Sequence, residues 1–177
     1  MKTIFRSLAA ALLMAALFIP AKIRAQTTPA NAWRLGLGID AAVPTGSATI
    51  GANFILGGNA RLQYGTSNNF ALTLTAGADH FLTKINPATN TRYQGYGVIP
   101  VKAGIKWFFI PGVYFGGEIG LAEEASSTKF GPTRFDWTPG LGWANSHWDV
   151  SGRYENFSGS GASYGMVALR LAYGFAL

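Results

Sequence analysis

The stretch Trp33-Arg-Leu-Gly-Leu-Gly-Ile-Asp-Ala-Ala-Val43 decides how the chain is read. Every second residue is apolar: Trp33, Leu35, Leu37, Ile39, Ala41 and Val43. Arg34, Gly36, Gly38, Asp40 and Ala42 stand between them. Side chains of a strand point alternately to opposite faces, so this period of two marks a strand with one greasy face and one polar face. Alternation by itself leaves open which face is buried. A soluble barrel hides its apolar face; a membrane barrel turns it to lipid.

The same pattern recurs. After residue 26 no helical period appears, and the chain divides into eight alternating runs near 33–43, 52–65, 70–82, 97–109, 113–122, 135–144, 148–156 and 165–176. Most are longer than soluble strands, and they suit the roughly 9–11 residues that a tilted strand needs to cross hydrocarbon. Tight connections (66–69, 109–112, 145–147) alternate with longer ones at 44–51, 82–96, 122–134 and 156–164. Short turns at one end and long loops at the other typify bacterial outer-membrane barrels.

Charge sorts by face. The apolar face carries no Asp, Glu, Lys or Arg in any run. Six charges fall in the long connections: Lys84, Arg92, Glu123, Glu124, Lys129 and Arg134. The other twelve lie on the opposite face: Arg34, Arg61, Lys102, Lys106, Arg153 and Arg170 against Asp40, Asp79, Glu118, Asp136, Asp149 and Glu155. Between them stand mainly Gly, Ala, Ser and Thr. An eight-stranded barrel has an interior just wide enough for side chains, and charges placed there must pair. The six-and-six count predicts a paired, plugged lumen, with Glu118 close to Lys102 or Lys106 across the neighbouring runs.

Aromatics sort by height. Trp33, Tyr64, Phe70, Trp107, Phe109, Trp143, Trp148, Tyr173 and Phe175 gather at the ends joined by tight turns, and Trp137 lies near the other ends with Phe54, Phe135 and Tyr154. Rings with an apolar body and a polar edge collect at membrane boundaries. The expectation is therefore a closed eight-stranded antiparallel transmembrane β-barrel, an up-and-down meander facing lipid with Trp33, Leu35, Leu37 and Ile39. No sheet edge can stay unpaired in hydrocarbon, so the last run must pair with the first.

Residues 1–25 differ from the rest: Lys2 and Arg6 precede a short apolar run that ends near Ala25. This has the form of a secretory signal peptide, with a retained anchor helix as the alternative. The barrel domain is then 26–177. Without Lys2, Arg6, Lys22 and Arg24 the 14 basic residues become 10 against 8 acidic ones, and the net charge falls from +6 to +2. That balance gives no support to nucleic-acid binding. Cysteine is absent, which excludes disulfides and thiol chemistry.

Two pairs of segments carry a family resemblance. "IPVKAGIKWFF" followed by "VYFGGEIGLA" is similar to the paired central strands of the bacterial outer-membrane protein β-barrel domain family, whose members include small eight-stranded barrels. "GRYENFSG" followed by "GMVALRLAYGF" resembles that family's closing hairpin. The resemblance spans the mature chain and implies the fold and an outer-membrane location, without a particular activity. The final run, "MVALRLAYGFAL", resembles the terminal signal read by the outer-membrane assembly machinery. A branch of such barrels deacylates lipid A and uses a His-x-Ser pair near the seventh strand; here the positions read Asn156-Phe157-Ser158, and Asn cannot serve as the base. His80 and His147 have no ligand-spaced neighbours, so no metal, cofactor or catalytic residue is expected.

The reading is a monomeric barrel in the bacterial outer membrane, in contact with lipids and lipopolysaccharide. Its role is structural or adhesive, exercised through its outer loops, where Tyr93, Gln94 and Tyr96 form a candidate contact patch. A narrow pore, a lipid A enzyme and a soluble lipocalin-like binding barrel are the alternatives.

Overall fold

The computed structural model describes residues 28–86, 88–126, 130–159 and 161–177; the expected signal peptide lies outside them. The strands are β1 (Trp33–Gly46), β2 (Ala52–Gly65), β3 (Phe70–Thr83), β4 (Ile85–Asn86), β5 (Thr91–Arg92), β6 (Tyr96–Ile110), β7 (Val113–Ser126), β8 (Phe130–Ala144), β9 (Trp148–Gly159) and β10 (Ala162–Ala176). A single helical turn, α1 (Ala48–Gly51), sits between β1 and β2.

Eight strands close into one antiparallel barrel in the order β1-β10-β9-β8-β7-β6-β3-β2, and β4-β5 form a separate small hairpin. Each barrel strand pairs with its chain neighbours, and closure comes from β1 against β10, with Arg34 opposite Ala176 and Gly46 opposite Tyr164. The start of β1, the end of β10 and the tight turns share one end of the barrel, called here the turn end: Leu177 N–H donates to Trp33 O, and Gly174 N–H to His147 O. The other is the loop end.

The alternation decides which way each side chain points. Along β3, Leu72 and Leu74 are half exposed at 50% and 53%, whereas Thr73 and Thr75 between them are 5% and 1% exposed. The outer wall is a continuous apolar belt that includes Leu37, Ile39, Leu56, Val101, Ile105, Ile119, Leu141 and Leu169, all exposed. Among the described residues no helix is long and apolar enough to cross a membrane.

Two long connections expected from sequence are shorter in the structure. The region 122–134 is mostly ladder: β7 runs to Ser126, β8 starts at Phe130, and Ala125 pairs with Phe130. The region 156–164 likewise belongs largely to β9 and β10, with Ser163 opposite Ser158. Above the apolar belt both faces of a hairpin are free to be polar, so alternation fades while the backbone hydrogen bonds continue. Pro100 and Pro139 lie inside barrel strands, and each lacks the N–H that a ladder needs. The pairing skips from Ala76–Val101 to Asp79–Val98 beside the first, and from Trp137–Asn156 to Gly140–Arg153 beside the second.

Candidate functional site

Among the described residues, the fold concentrates its charged groups in the lumen. The inward positions of all eight strands supply it. Arg34, Asp40, Arg61, Asp79, Lys102, Lys106, Glu118, Asp136, Asp149, Arg153, Glu155 and Arg170 are all buried inside the barrel. Burying an ion without a partner costs several kcal/mol, so each contact matters.

The ion pairs form two connected sets. Nearer the turn end, Arg61 meets Glu118 at 2.9 Å and approaches Asp149 at 4.0 Å, and Lys106 also pairs with Asp149. Tyr114 OH donates to Asp149 Oδ1 at 2.6 Å. Glu118 accepts further bonds from Thr75 (2.7 Å) and Thr73 (3.2 Å). Nearer the loop end, Lys102 lies 3.3 Å from Asp136 and pairs with Glu155. Arg153 binds Asp40 at 3.0 Å and Glu155 at 3.4 Å. Asp79 is buried there against Gly57.

Glu118 lies near Lys102 and Lys106, as expected, but its direct ion pair is with Arg61 rather than with either lysine. Strand adjacency suggested a lysine, because Glu118 lies on β7 beside Gly104 of β6. Long side chains instead cross the lumen: Lys102 and Lys106 on β6 reach carboxylates on β8 and β9, and Arg61 on β2 reaches Glu118. In so narrow a barrel the strand opposite is within reach of a Lys or Arg stem, so adjacency along the wall does not choose the partner. Asp40 and Arg170 show the same effect. They face each other across β1 and β10, yet Asp40 is taken by Arg153. Arg170 Nε donates to Asn59 Oδ1 at 2.9 Å, and the Asn59 amide in turn bonds Asp40.

Sequence reading missed the layer that caps the lumen. At the loop end Ile55, Phe81, Val98, Phe157, Tyr164 and Met166 form a buried apolar cluster. Phe81 stacks on Tyr96 with ring centres 4.3 Å apart, and Phe157 lies 5.3 Å from Tyr164. Tyr96 is therefore the first residue of β6 and a packing group, separate from the contact patch proposed with Tyr93 and Gln94. The signal was present: Phe81, Val98, Phe157 and Met166 share parity with Asp79, Lys102, Glu155 and Arg170. Arg134 and Glu124, expected in a loop, belong to β8 and β7. They pair with each other, and Arg134 sits over the Tyr164 ring, which donates to Glu124 at 2.6 Å. A smaller group of Phe108, Tyr114 and Ala144 fills the turn end. Gly142 is required beside it, since a Cβ there would come within 2.5 Å of the Tyr114 ring.

A cleft of about 510 Å³ opens at the loop end beside Asp79, His80, Tyr96 and Ile99, but the space left among the lumen charges is small. A gap of about 20 Å³ lies among Arg61, Thr73, Lys106, Glu118 and Arg153. Another of about 10 Å³ lies among Arg34, Arg61, Gln63, Asp149 and Arg170. Each has room for about one water-sized sphere.

The expected boundary aromatics line the outer wall. Trp33, Phe70, Trp107, Phe109, Trp137, Trp148 and Phe175 are exposed, and Tyr64, Trp143 and Tyr173 are partly so. Many touch across strands: Trp33–Tyr64 at 4.8 Å, Phe70–Trp107 at 6.4 Å and Trp148–Tyr173 at 5.1 Å. His80 points outward from β3, and His147 lies in a turn where its ring contacts Ser146 Oγ at 2.8 Å. At the deacylase-like stretch Phe157 is buried in the cap, while Asn156 bonds Trp137 and Ser163.

No protein-family model and no curated protein matches the sequence. Solved structures do match the fold. The attachment invasion locus protein Ail of Yersinia pestis aligns with a TM-score of 0.56 and 14% identity over 82% of this chain and 99% of its own. Neisserial surface protein A aligns at 0.57 with 13% identity, over 82% of this chain and 96% of its own. The N-terminal barrel of Pseudomonas aeruginosa OprF gives 0.53 with 15% identity, over 79% and 97%. The fold is that of the small bacterial outer-membrane barrels. At such identities the likeness concerns architecture, and chemistry must be argued from this chain's own residues.

Proposed function

We propose that the chain is an integral outer-membrane barrel with a structural or surface-contact role and a lumen closed to solutes. One observation carries the reading: the same strands present an aliphatic wall outward and a filled ionic lumen inward. A wall of Leu, Ile and Val exposed to water would be a large aggregation-prone patch; against acyl chains it is the expected surface. Lipids and lipopolysaccharide are then its immediate partners, and the aromatics at both ends fix its height. The turn end, where β1 starts and β10 finishes, faces the periplasm, so the loop end with α1 and β4-β5 meets the exterior. After export through a cleaved leader, the β10 segment is the part offered to the assembly machinery, and the closed wall leaves a monomer with no free edge. An adhesive role draws support from the likeness to an attachment protein, Ail, and the outer rim is where it would reside.

The filled lumen speaks against a lipocalin-like cavity, and two caps flanking an ionic plug speak against a pore. Asn156, standing where a His-x-Ser pair would place the base for Ser158, argues against acyl hydrolysis. The test is reconstitution of the detergent-folded chain into planar bilayers, paired with a gel run before and after boiling. A mobility shift on boiling without conductance steps supports the reading. Steady single-channel steps favour the pore, a changed lipid A mass in expressing cells favours the enzyme, and recovery as a detergent-free soluble protein favours the binding barrel.

A further inference from the structure

The lumen charges are neutral in total but not by layer. Arg34, Arg61, Lys106 and Arg170 share the turn-end layer with only Glu118 and Asp149. Both carboxylates are already engaged. Glu118 holds Arg61 and two threonines, and Asp149 holds Lys106 and Tyr114, with Arg61 at its edge. Arg170 is left over. It is 1% exposed, its Nε is used on Asn59, and its Nη1 and Nη2 have no hydrogen-bond partner. Guanidinium donors buried without an acceptor are costly, and the positive excess of the layer adds to that cost. Arg170 also lines the gap of about 10 Å³ that Arg34, Arg61, Gln63 and Asp149 border.

We propose that this gap is a binding site for one small monovalent inorganic anion, chloride under ordinary conditions, held by the Nη donors of Arg170 with Arg34 and Arg61 alongside. The ion supplies the acceptor that Arg170 lacks and lowers the layer's excess charge. The gap is close to the lower limit for one bound water, so only a compact ion competes for it, and sulfate, phosphate and organic acids are too large. A water could fill the same space but would leave the charge uncompensated. Toward the carboxylate-rich layer, Arg170 hydrogen-bonds the neutral Asn59 amide, which in turn bonds Asp40. The inference concerns the packing of the lumen and holds whether the rim is adhesive or inert.

The test is a crystal of the detergent-folded full chain grown with bromide as the only halide, with diffraction recorded at the bromine absorption edge. An anomalous peak within hydrogen-bond reach of Arg170 Nη1 or Nη2 is the expected result, and Arg170→Met should lose it. An ordered water without anomalous signal at that position overturns the proposal, as does a peak retained in Arg170→Met. If Arg170→Met does not fold, the wild-type chain decides alone through its thermal midpoint at constant ionic strength. Replacing gluconate by chloride should raise it, with saturation over a chloride titration. An unchanged midpoint overturns the site.

Discussion

The two ionic layers of the lumen use the same residue types, yet they solve burial differently. At the loop end Lys102 and Arg153 each touch two carboxylates and share Glu155 between them. At the turn end two carboxylates pair with Arg61 and Lys106 while Arg34 and Arg170 stand nearby, and hydroxyls from Thr73, Thr75 and Tyr114 complete the acceptors' shells. One layer is organised around its cations, the other around its anions. The difference teaches that charge balance over a whole face does not fix local pairing, which depends on how far each stem reaches across a narrow tube.

Removing a hub should have the largest effect. Lys102→Met leaves Asp136 and Glu155 without their shared cation, and truncating one partner of a buried pair typically costs about 3–5 kcal/mol. Urea unfolding in lipid vesicles, followed by tryptophan fluorescence, should show that loss. In the turn-end layer, Arg61→Met should cost a similar amount alone. Adding Glu118→Leu should recover part of it, because an apolar pair strands no charge. Strict additivity in that cycle would mean the two residues are not coupled.

Against both layers stands the wall. Leu72→Arg puts a cation into hydrocarbon at a cost of roughly 2–4 kcal/mol near the midplane, read as loss of the heat-modifiable band. Thr73→Asn, one residue along and inward, should keep the band. A milder effect is expected from Tyr114→Phe, which deletes the hydrogen bond to Asp149 and should cost about 1.5–3 kcal/mol in the same unfolding assay. The smallest change belongs to Ser146→Ala in the exposed turn, within about 0.5 kcal/mol. A large effect there would mean that the turn end does more than connect strands.

Much of this was legible in residue order. The parity of Arg34 and Asp40 against Leu35 and Ile39 already separates lumen from wall, and the recurrence of that parity counts eight strands. The cap was legible too, through Phe81, Phe157 and Met166 on the charged face, but apolar residues of that parity do not stand out unless the lumen is followed to its mouth. The strand extensions around Glu124 and Arg134 were hidden, because a ladder in water needs no alternation to persist.

Sequence alone determined which side of each strand is greasy, since a strand's side-chain period is two and a slip of one residue would bury the wrong set. It also determined that the polar face carries balanced charge. Only the closed tertiary structure decided who pairs with whom. Closure brings β6 within reach of β8 and β9, and β2 within reach of β7. It joins Asp40 to Arg153 and leaves Arg170 beside a small gap, because partners inside a tube are chosen by distance across it as much as by neighbours along its wall.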